Sequence, residues 1–207
     1  MRLLAVALWC LTSAEDIAVI DGVFSRDEVR VLAAAVDSLA YTFDEQDHDA
    51  AEPAGSVAEL PLNGELVTAL AARVEAALRE YPPAAAFAKN LELYRAYVNR
   101  FARGDAPGAH RDARLGSEHV TALVYANDAW QRDWGGETIF YTEDHEIRRA
   151  VRPRPGRMIL FLGGLIHSAR PPLPSHGGPR YTVALKFQRV CGDGSCSVGL
   201  GADPPAA

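Results

Sequence analysis

Four side chains carry the chemistry open to this chain: His110 and Asp112 in the run His110-Arg111-Asp112, then His167, then Arg180. Two imidazoles and one carboxylate can occupy one face of an octahedral ion. The opposite face then stays open to an organic chelate and a gas molecule, an arrangement that suits Fe(II). Arg180 adds a permanently charged, planar fork able to take a carboxylate in bidentate fashion. His110 and Asp112 are separated by one residue, so on an extended segment both point to the same side. His167 follows Gly163-Gly164-Leu165-Ile166 at the head of another strand, from which it is expected to approach across the facing sheet. A His-x-Asp pair by itself is weak, since most such pairs lie on surfaces.

The elements that must position these residues can be read from pattern and punctuation. Ile17 to Val23 reads as a short strand. Ser25-Arg26-Asp27-Glu28 is a capping-box sequence, followed at helical spacing by Val29, Leu32, Ala33, Val36 and Leu39, with the helix ending near Ala40. The acidic stretch Asp44 to Asp49 and the Pro/Gly/Ala-rich run to Gly55 read as a mobile loop. A second helix is expected from about Glu65 to Glu80, stopped by Pro82-Pro83.

From Leu91 onward the texture is that of strands: Leu91–Phe101, His119–Ala126, Glu137–Tyr141, Ile147–Val151, Arg157–Leu162, Ile166–Ala169 and Arg180–Arg189. Glycine- and proline-rich turns separate them. Two helices followed by about seven or eight short strands predict an α+β protein whose strands form a sandwich or barrel.

The 207 residues, 48% hydrophobic and 23% charged, fit one globular domain. A net charge of −6 and the lack of a basic stripe speak against a nucleic-acid partner. Arginine outnumbers lysine 19 to 2, which reads as compositional bias rather than a binding device. No apolar run reaches the ~18 residues of a spanning helix. Residues 1–14 have two readings. Arg2, the apolar run Leu3 to Leu11 and Thr12-Ser13-Ala14 follow the grammar of a secretory signal cleaved after Ala14; the same residues could instead form a strand or helix packed on the core. The first reading implies a secretory or lumenal location, the second a cytoplasmic one. It also makes a Cys191–Cys196 bridge feasible in the tail 191–207, which otherwise reads as disordered.

The longer pieces around the four residues resemble a family. Gly108-Ala109-His110-Arg111-Asp112, Thr121 to Asn127, Trp134-Gly135-Gly136-Glu137-Thr138, Pro155 to Phe161, His167 and Arg180-Tyr181-Thr182-Val183 stand in the order and spacing of the Fe(II)- and 2-oxoglutarate-dependent dioxygenases. The likeness is to their prolyl 4-hydroxylase-like branch and runs from about Ile17 to Gln188. It implies a double-stranded β-helix core (jelly-roll, cupin-like) with N-terminal supporting helices, spanning residues 15–190. It further implies Fe(II) on His110, Asp112 and His167, with Arg180 on the distal carboxylate of 2-oxoglutarate. Tyr125 falls at a tyrosine that shares that carboxylate. The implied reaction consumes O₂, releases succinate and CO₂, and hydroxylates an unactivated C–H of a prolyl residue or related amino acid, in a peptide or small molecule. Ascorbate is a candidate reductant.

The chain also departs from the family. Many prolyl hydroxylases carry a tyrosine nine or ten residues before the first iron ligand, where this chain has Arg100 and Phe101. Tyr97 or Asn99, on one strand face with Arg95, are the candidates to replace it. The gap from His167 to Arg180 is longer than usual, and Lys186 is set aside as carboxylate partner because it comes too late. His48, His119, His145 and His176 lack partners at ligand spacing and read as exposed or capping residues. Trp130 and Trp134 read as packing or as rim of the site. Two other classes remain open at this point: a Zn²⁺ hydrolase on the same three ligands, and a non-catalytic β-domain binding a protein partner through the acidic loop.

Overall fold

The computed structural model describes residues 16–45, 55–80, 90–105 and 107–189. Residues 1–14, Pro82-Pro83 and the Cys191–Cys196 pair lie outside them. So does most of the acidic loop.

Among the described residues ten strands form two sheets. In chain order they are β1 (Ile17–Ile20), β2 (Thr42–Glu45), β3 (Gly55–Glu59), β4 (Leu91–Phe101), β5 (His119–Tyr125), β6 (Thr138–Tyr141), β7 (Ile147–Val151), β8 (Met158–Leu162), β9 (His167–Ala169) and β10 (Arg180–Arg189). The larger sheet runs β1-β8-β5-β10-β4-β3-β2 and the smaller one β7-β6-β9, all pairs antiparallel. This is the double-stranded β-helix core expected from the sequence, with helices α1 (Arg26–Asp37) and α2 (Glu65–Glu80) laid on one side.

Strand alternation decides what faces what. On β10, Tyr181, Val183, Leu185 and Phe187 pack with Val98, Val124 and Leu160 against Leu32 and Val36 of α1 and Val67, Leu70 and Val74 of α2. Each such side chain contributes about 1.5–3 kcal/mol by leaving water. The intervening residues Arg180, Thr182, Ala184 and Lys186 must then point into the space between the two sheets. That space has its own apolar floor of Leu123, Ile159 and Phe161 from the large sheet and Phe140 and Val151 from the small one. α1 begins with the expected capping box: Glu28 N–H donates to Ser25 Oγ at 3.3 Å, and Ser25 N–H to Glu28 Oε2 at 2.8 Å.

One expectation about the backbone is corrected. Asp44 and Glu45 belong to β2 and not to a loop, and Gly55–Glu59 is a strand that pairs with β4 in the register Ser56↔Arg100 and Ala58↔Val98. β2, short and acidic, is the outermost strand on that side of the sheet, where a hydrophobic pattern would invite aggregation, and the small residues of β3 lie between it and β4. Periodicity therefore does not reveal them.

Candidate active site

His110 is placed by backbone pairing. Its N–H donates to the His167 carbonyl and the His167 N–H returns the bond, both at 2.9 Å, so the two residues form an antiparallel bridge. The two histidines are thus neighbours on the small sheet, with ring centroids 4.5 Å apart, and do not approach from facing sheets. Pairing brings them closer than opposition across a sandwich about 10 Å thick could do. The loop after His110 is tied down by Asp112 N–H and Ala113 N–H, which both donate to Gly163 O at 2.9 and 3.0 Å. A Cβ on Gly164 would lie 3.0 Å from the backbone at Arg114 and Leu115, so the glycine turn lets the ligand loop lie this close.

Asp112 Oδ1 lies 3.6 Å from His110 Nε2 and 3.7 Å from His167 Nε2, and the three candidate ligand atoms lie within 4.8 Å of one another. Two ligands at right angles, each about 2.1 Å from an ion, are about 3 Å apart. The cluster is therefore a small side-chain adjustment from ligation. Both rings are oriented from behind: His167 Nδ1 meets Leu165 O at 3.0 Å and His110 Nδ1 meets Gly108 O at 3.3 Å. With the proton on Nδ1, each Nε2 lone pair faces inward, the arrangement metal-ligating histidines need. The donor set, its geometry and the outer partners fit a divalent ion.

Asp112 is buried, and its second oxygen is already engaged. Oδ2 accepts from Thr121 Oγ1 at 2.6 Å and pairs with the Lys186 ammonium. Burial pushes the Asp112 carboxyl up, but Lys186, His167 and His110 together outweigh it and hold it well below the usual carboxylate range. The group is an anion at neutral pH. Burial dominates at His167, lowering it from 6.5 to about 4 against the pull of Asp112, so its ring is neutral.

This gives the metal-free protein a pH signature. The unfolded chain takes up the His167 proton near 6.5 while the native site refuses it until about 4. Between those values the unfolded state binds more protons, so stability falls as pH falls. The full loss is about 3 kcal/mol, and it is complete below about pH 4. Urea unfolding of the metal-free protein at pH 7, 5.5 and 4.5 is expected to show it. Unchanged stability from pH 7 to 5 would mean that His167 is not buried neutral.

Arg180, 1% exposed, lies in the same cavity as His110, Asp112 and His167, together with Tyr97, Asn99, Phe101, Thr138, Thr182 and Lys186. Its Nε donates to Gly136 O at 2.8 Å, Nη1 to Thr182 Oγ1 at 3.3 Å and Nη2 to Thr138 Oγ1 at 3.1 Å. Of the five guanidinium donors, one on each terminal nitrogen remains, which is the fork a carboxylate needs. Among the described residues no carboxylate forms an ion pair with it. A buried, permanently charged group of this kind is costly unless an anion completes it. Gly136 is required here: its φ is +79°, and a Cβ would meet Trp130 Cζ2 at 2.6 Å and Arg180 Cδ at 3.3 Å.

The remaining sequence candidates divide. Tyr97 and Asn99 line the cavity, and Asn99 Oδ1 is buried there without a hydrogen-bond partner. Because amide oxygen and nitrogen are interchangeable by a flip, Asn99 can present either a donor or an acceptor to an occupant. Tyr125 does not line the cavity. Its hydroxyl donates to Val151 O at 2.9 Å and shares a 2.7 Å bond with Thr138 Oγ1, while the Arg180 guanidinium carbon lies 5.2 Å from the centre of its ring, so it meets the cavity through both Thr138 and Arg180. His176 is not an exposed residue: it stacks on Trp134 at 4.3 Å and tilts against Trp130 at 4.5 Å, pinning the long loop before Arg180. Lys186, set aside on sequence, sits at the heart of the site. Its signal was its parity with Arg180 along β10.

Residues 96–188, which carry the His/Asp/His cluster and Arg180, match the family model of the 2OG-Fe(II) oxygenase superfamily. Comparison with curated proteins finds no match. Among solved structures, a Pseudomonas putida prolyl-4-hydroxylase aligns at TM-score 0.60 and 21% identity, covering 85% of this chain and 94% of that one. A Trichoplax adhaerens prolyl hydroxylase, in complex with a hypoxia inducible factor peptide fragment, aligns at 0.64 and 16% identity, covering 84% of each. HygX from Streptomyces hygroscopicus, with nickel and 2-oxoglutarate bound, aligns at 0.60 and 17%, covering 84% of this chain and 83% of that one. At these identities the likeness is one of fold. Among the described residues no helix is long and apolar enough to cross a membrane.

Proposed function

We propose that this chain hydroxylates an unactivated C–H, most simply of a prolyl residue in a peptide or of a related amino acid. In this reading His110 Nε2, His167 Nε2 and Asp112 Oδ1 hold Fe(II), and Arg180 grips the distal carboxylate of 2-oxoglutarate. The observation that carries it is a buried guanidinium that forms no ion pair with a carboxylate among the described residues, in one cavity with a His/Asp/His cluster. A Zn²⁺ hydrolase would have no use for that cation.

Fe(II) chelated by 2-oxoglutarate supplies the O₂ activation and oxidative decarboxylation, giving succinate and CO₂, that make C–H hydroxylation possible. The side chains bind and orient. Thr121 and Lys186 fix Asp112 by Oδ2, leaving Oδ1 toward the two imidazoles. Thr138 and Thr182 hold the Arg180 fork in plane, while Phe161, Leu123 and Phe101 line the cavity with apolar surface that keeps water out. The prolyl preference is supported by the prolyl hydroxylases among the fold's neighbours, and ascorbate would serve as reductant. Residues 15–190 would make up the catalytic unit.

The test is 2-oxoglutarate turnover with Fe(II) across proline-containing peptides, free amino acids and small metabolites. Succinate release stimulated by one substrate class, with product heavier by one oxygen, is expected. Product formation with Zn²⁺ and without 2-oxoglutarate would instead support the hydrolase.

A further inference from the structure

Three charged side chains line the cavity: Asp112, Arg180 and Lys186. Lys186, 5% exposed, pairs with Asp112 Oδ2, donates to Thr121 Oγ1 at 3.2 Å and stands 5.6 Å over the Tyr97 ring. Thr121 alone already supplies Oδ2 with a donor, so Lys186 is not needed to satisfy that oxygen. Its distinctive contribution is a full positive charge fixed one carboxylate away from the place where a divalent cation would sit.

We propose that Lys186 is a positioning residue that couples the metal to a dianion: it opposes metal binding alone and favours the metal together with 2-oxoglutarate. The proposal rests on the facial-ligand reading above. Among the described residues that line the cavity, one carboxylate stands against two cations, a net single positive charge before any metal enters. A divalent ion raises that to three, and a dianion returns it to one. In a cavity shielded from water such repulsion is weakly screened. The chelating carboxylate of 2-oxoglutarate therefore enters a field set by both the metal and Lys186, while its distal carboxylate meets Arg180. Coupling between two ligands is reciprocal, so the metal must tighten the dianion as much as the dianion tightens the metal. An apolar residue at 186 would leave the carboxylate to the metal alone and weaken this mutual dependence.

The measurement is titration of the metal-stripped full chain with Mn(II), with and without saturating 2-oxoglutarate, read by the free Mn(II) resonance signal. For the natural protein 2-oxoglutarate is expected to tighten Mn(II) by about tenfold or more, within the usual range of coupling between sites. In Lys186→Met, Mn(II) alone should bind about fivefold more tightly, and 2-oxoglutarate should add less than about threefold. Lys186→Arg should keep the natural pattern. Should the methionine variant fail to fold, Lys186→Gln removes the charge and keeps a donor for Oδ2. Weaker Mn(II) binding in the neutral variants, or undiminished dependence on 2-oxoglutarate, overturns the proposal. His110→Ala separates the two readings. If it leaves Mn(II) binding intact, the metal lies elsewhere and the facial-ligand reading fails. If it abolishes binding while the neutral variants behave like the natural protein, only the role of Lys186 falls.

Discussion

Arg180→Ala is expected to raise the 2-oxoglutarate requirement by roughly two to four decades while Fe(II) binding in its absence changes little. Removing one side of a buried charged pair costs about 3–5 kcal/mol, because the partner charge is left without compensation. Each 1.4 kcal/mol is about a tenfold change in affinity. The guanidinium fits that estimate because it is 1% exposed and its fork is held in plane by Thr138 and Thr182. The fold should tolerate the change. Gly136 O loses its donor, a cost of about 1–3 kcal/mol, and the relief of burying an uncompensated cation offsets it. Arg180→Lys should recover only part, since a point charge cannot reproduce the fork. Saturation curves for 2-oxoglutarate at fixed Fe(II) read the effect. A requirement unchanged in Arg180→Ala would remove Arg180 from the co-substrate site.

Asp112→Ala is expected to abolish product formation, by at least the roughly hundredfold loss that even an outer partner of a metal ligand can cost. It should also weaken the fold. From the sequence alone the variant is expected to lose activity but stay folded. The structure instead buries it against Lys186, with side chains 6% and 7% exposed. Breaking that pair strands the ammonium, a loss of about 3–5 kcal/mol from a total that is typically about 5–15 kcal/mol. The double variant Asp112→Ala/Lys186→Met should regain much of the stability and none of the activity. Urea unfolding and product assays on the same preparations separate the two effects. Normal turnover in Asp112→Ala would contradict the metal-ligand assignment.

The helices and most of the strands were legible in the sequence because their hydrophobic periodicity is strong. α2, β4, β7 and β10 fall at the expected bounds, and the β10 alternation that turns Arg180 inward follows from them. The hairpin of β2 and β3 was not legible. Its residues are acidic or small, and its identity as sheet comes from pairing with β4. The His110, Asp112 and His167 cluster could be read from residue types, but not the bridge that joins the two histidines, because register between distant segments leaves no local mark. Lys186 was missed for a related reason. A lone lysine late in a strand looks like an ordinary surface charge until the parity of β10 is joined to the position of Asp112. His176 was read as exposed because its partners, Trp130 and Trp134, come from a segment about forty residues earlier and meet it only through the chain's tertiary path.

Fe(II) on His110, Asp112 and His167 and 2-oxoglutarate on Arg180 are proposed to share one cavity. Anaerobic addition of Fe(II) and 2-oxoglutarate to the metal-stripped protein tests this most directly, because only a bidentate keto-acid chelate on protein-bound Fe(II) develops the weak visible charge-transfer absorption. The band is expected to appear with one equivalent of each, to be absent in Asp112→Ala, and in Arg180→Ala to need far more 2-oxoglutarate. A protein that binds Fe(II) but never develops the band, or one that develops it equally without Asp112, would rule out this shared site.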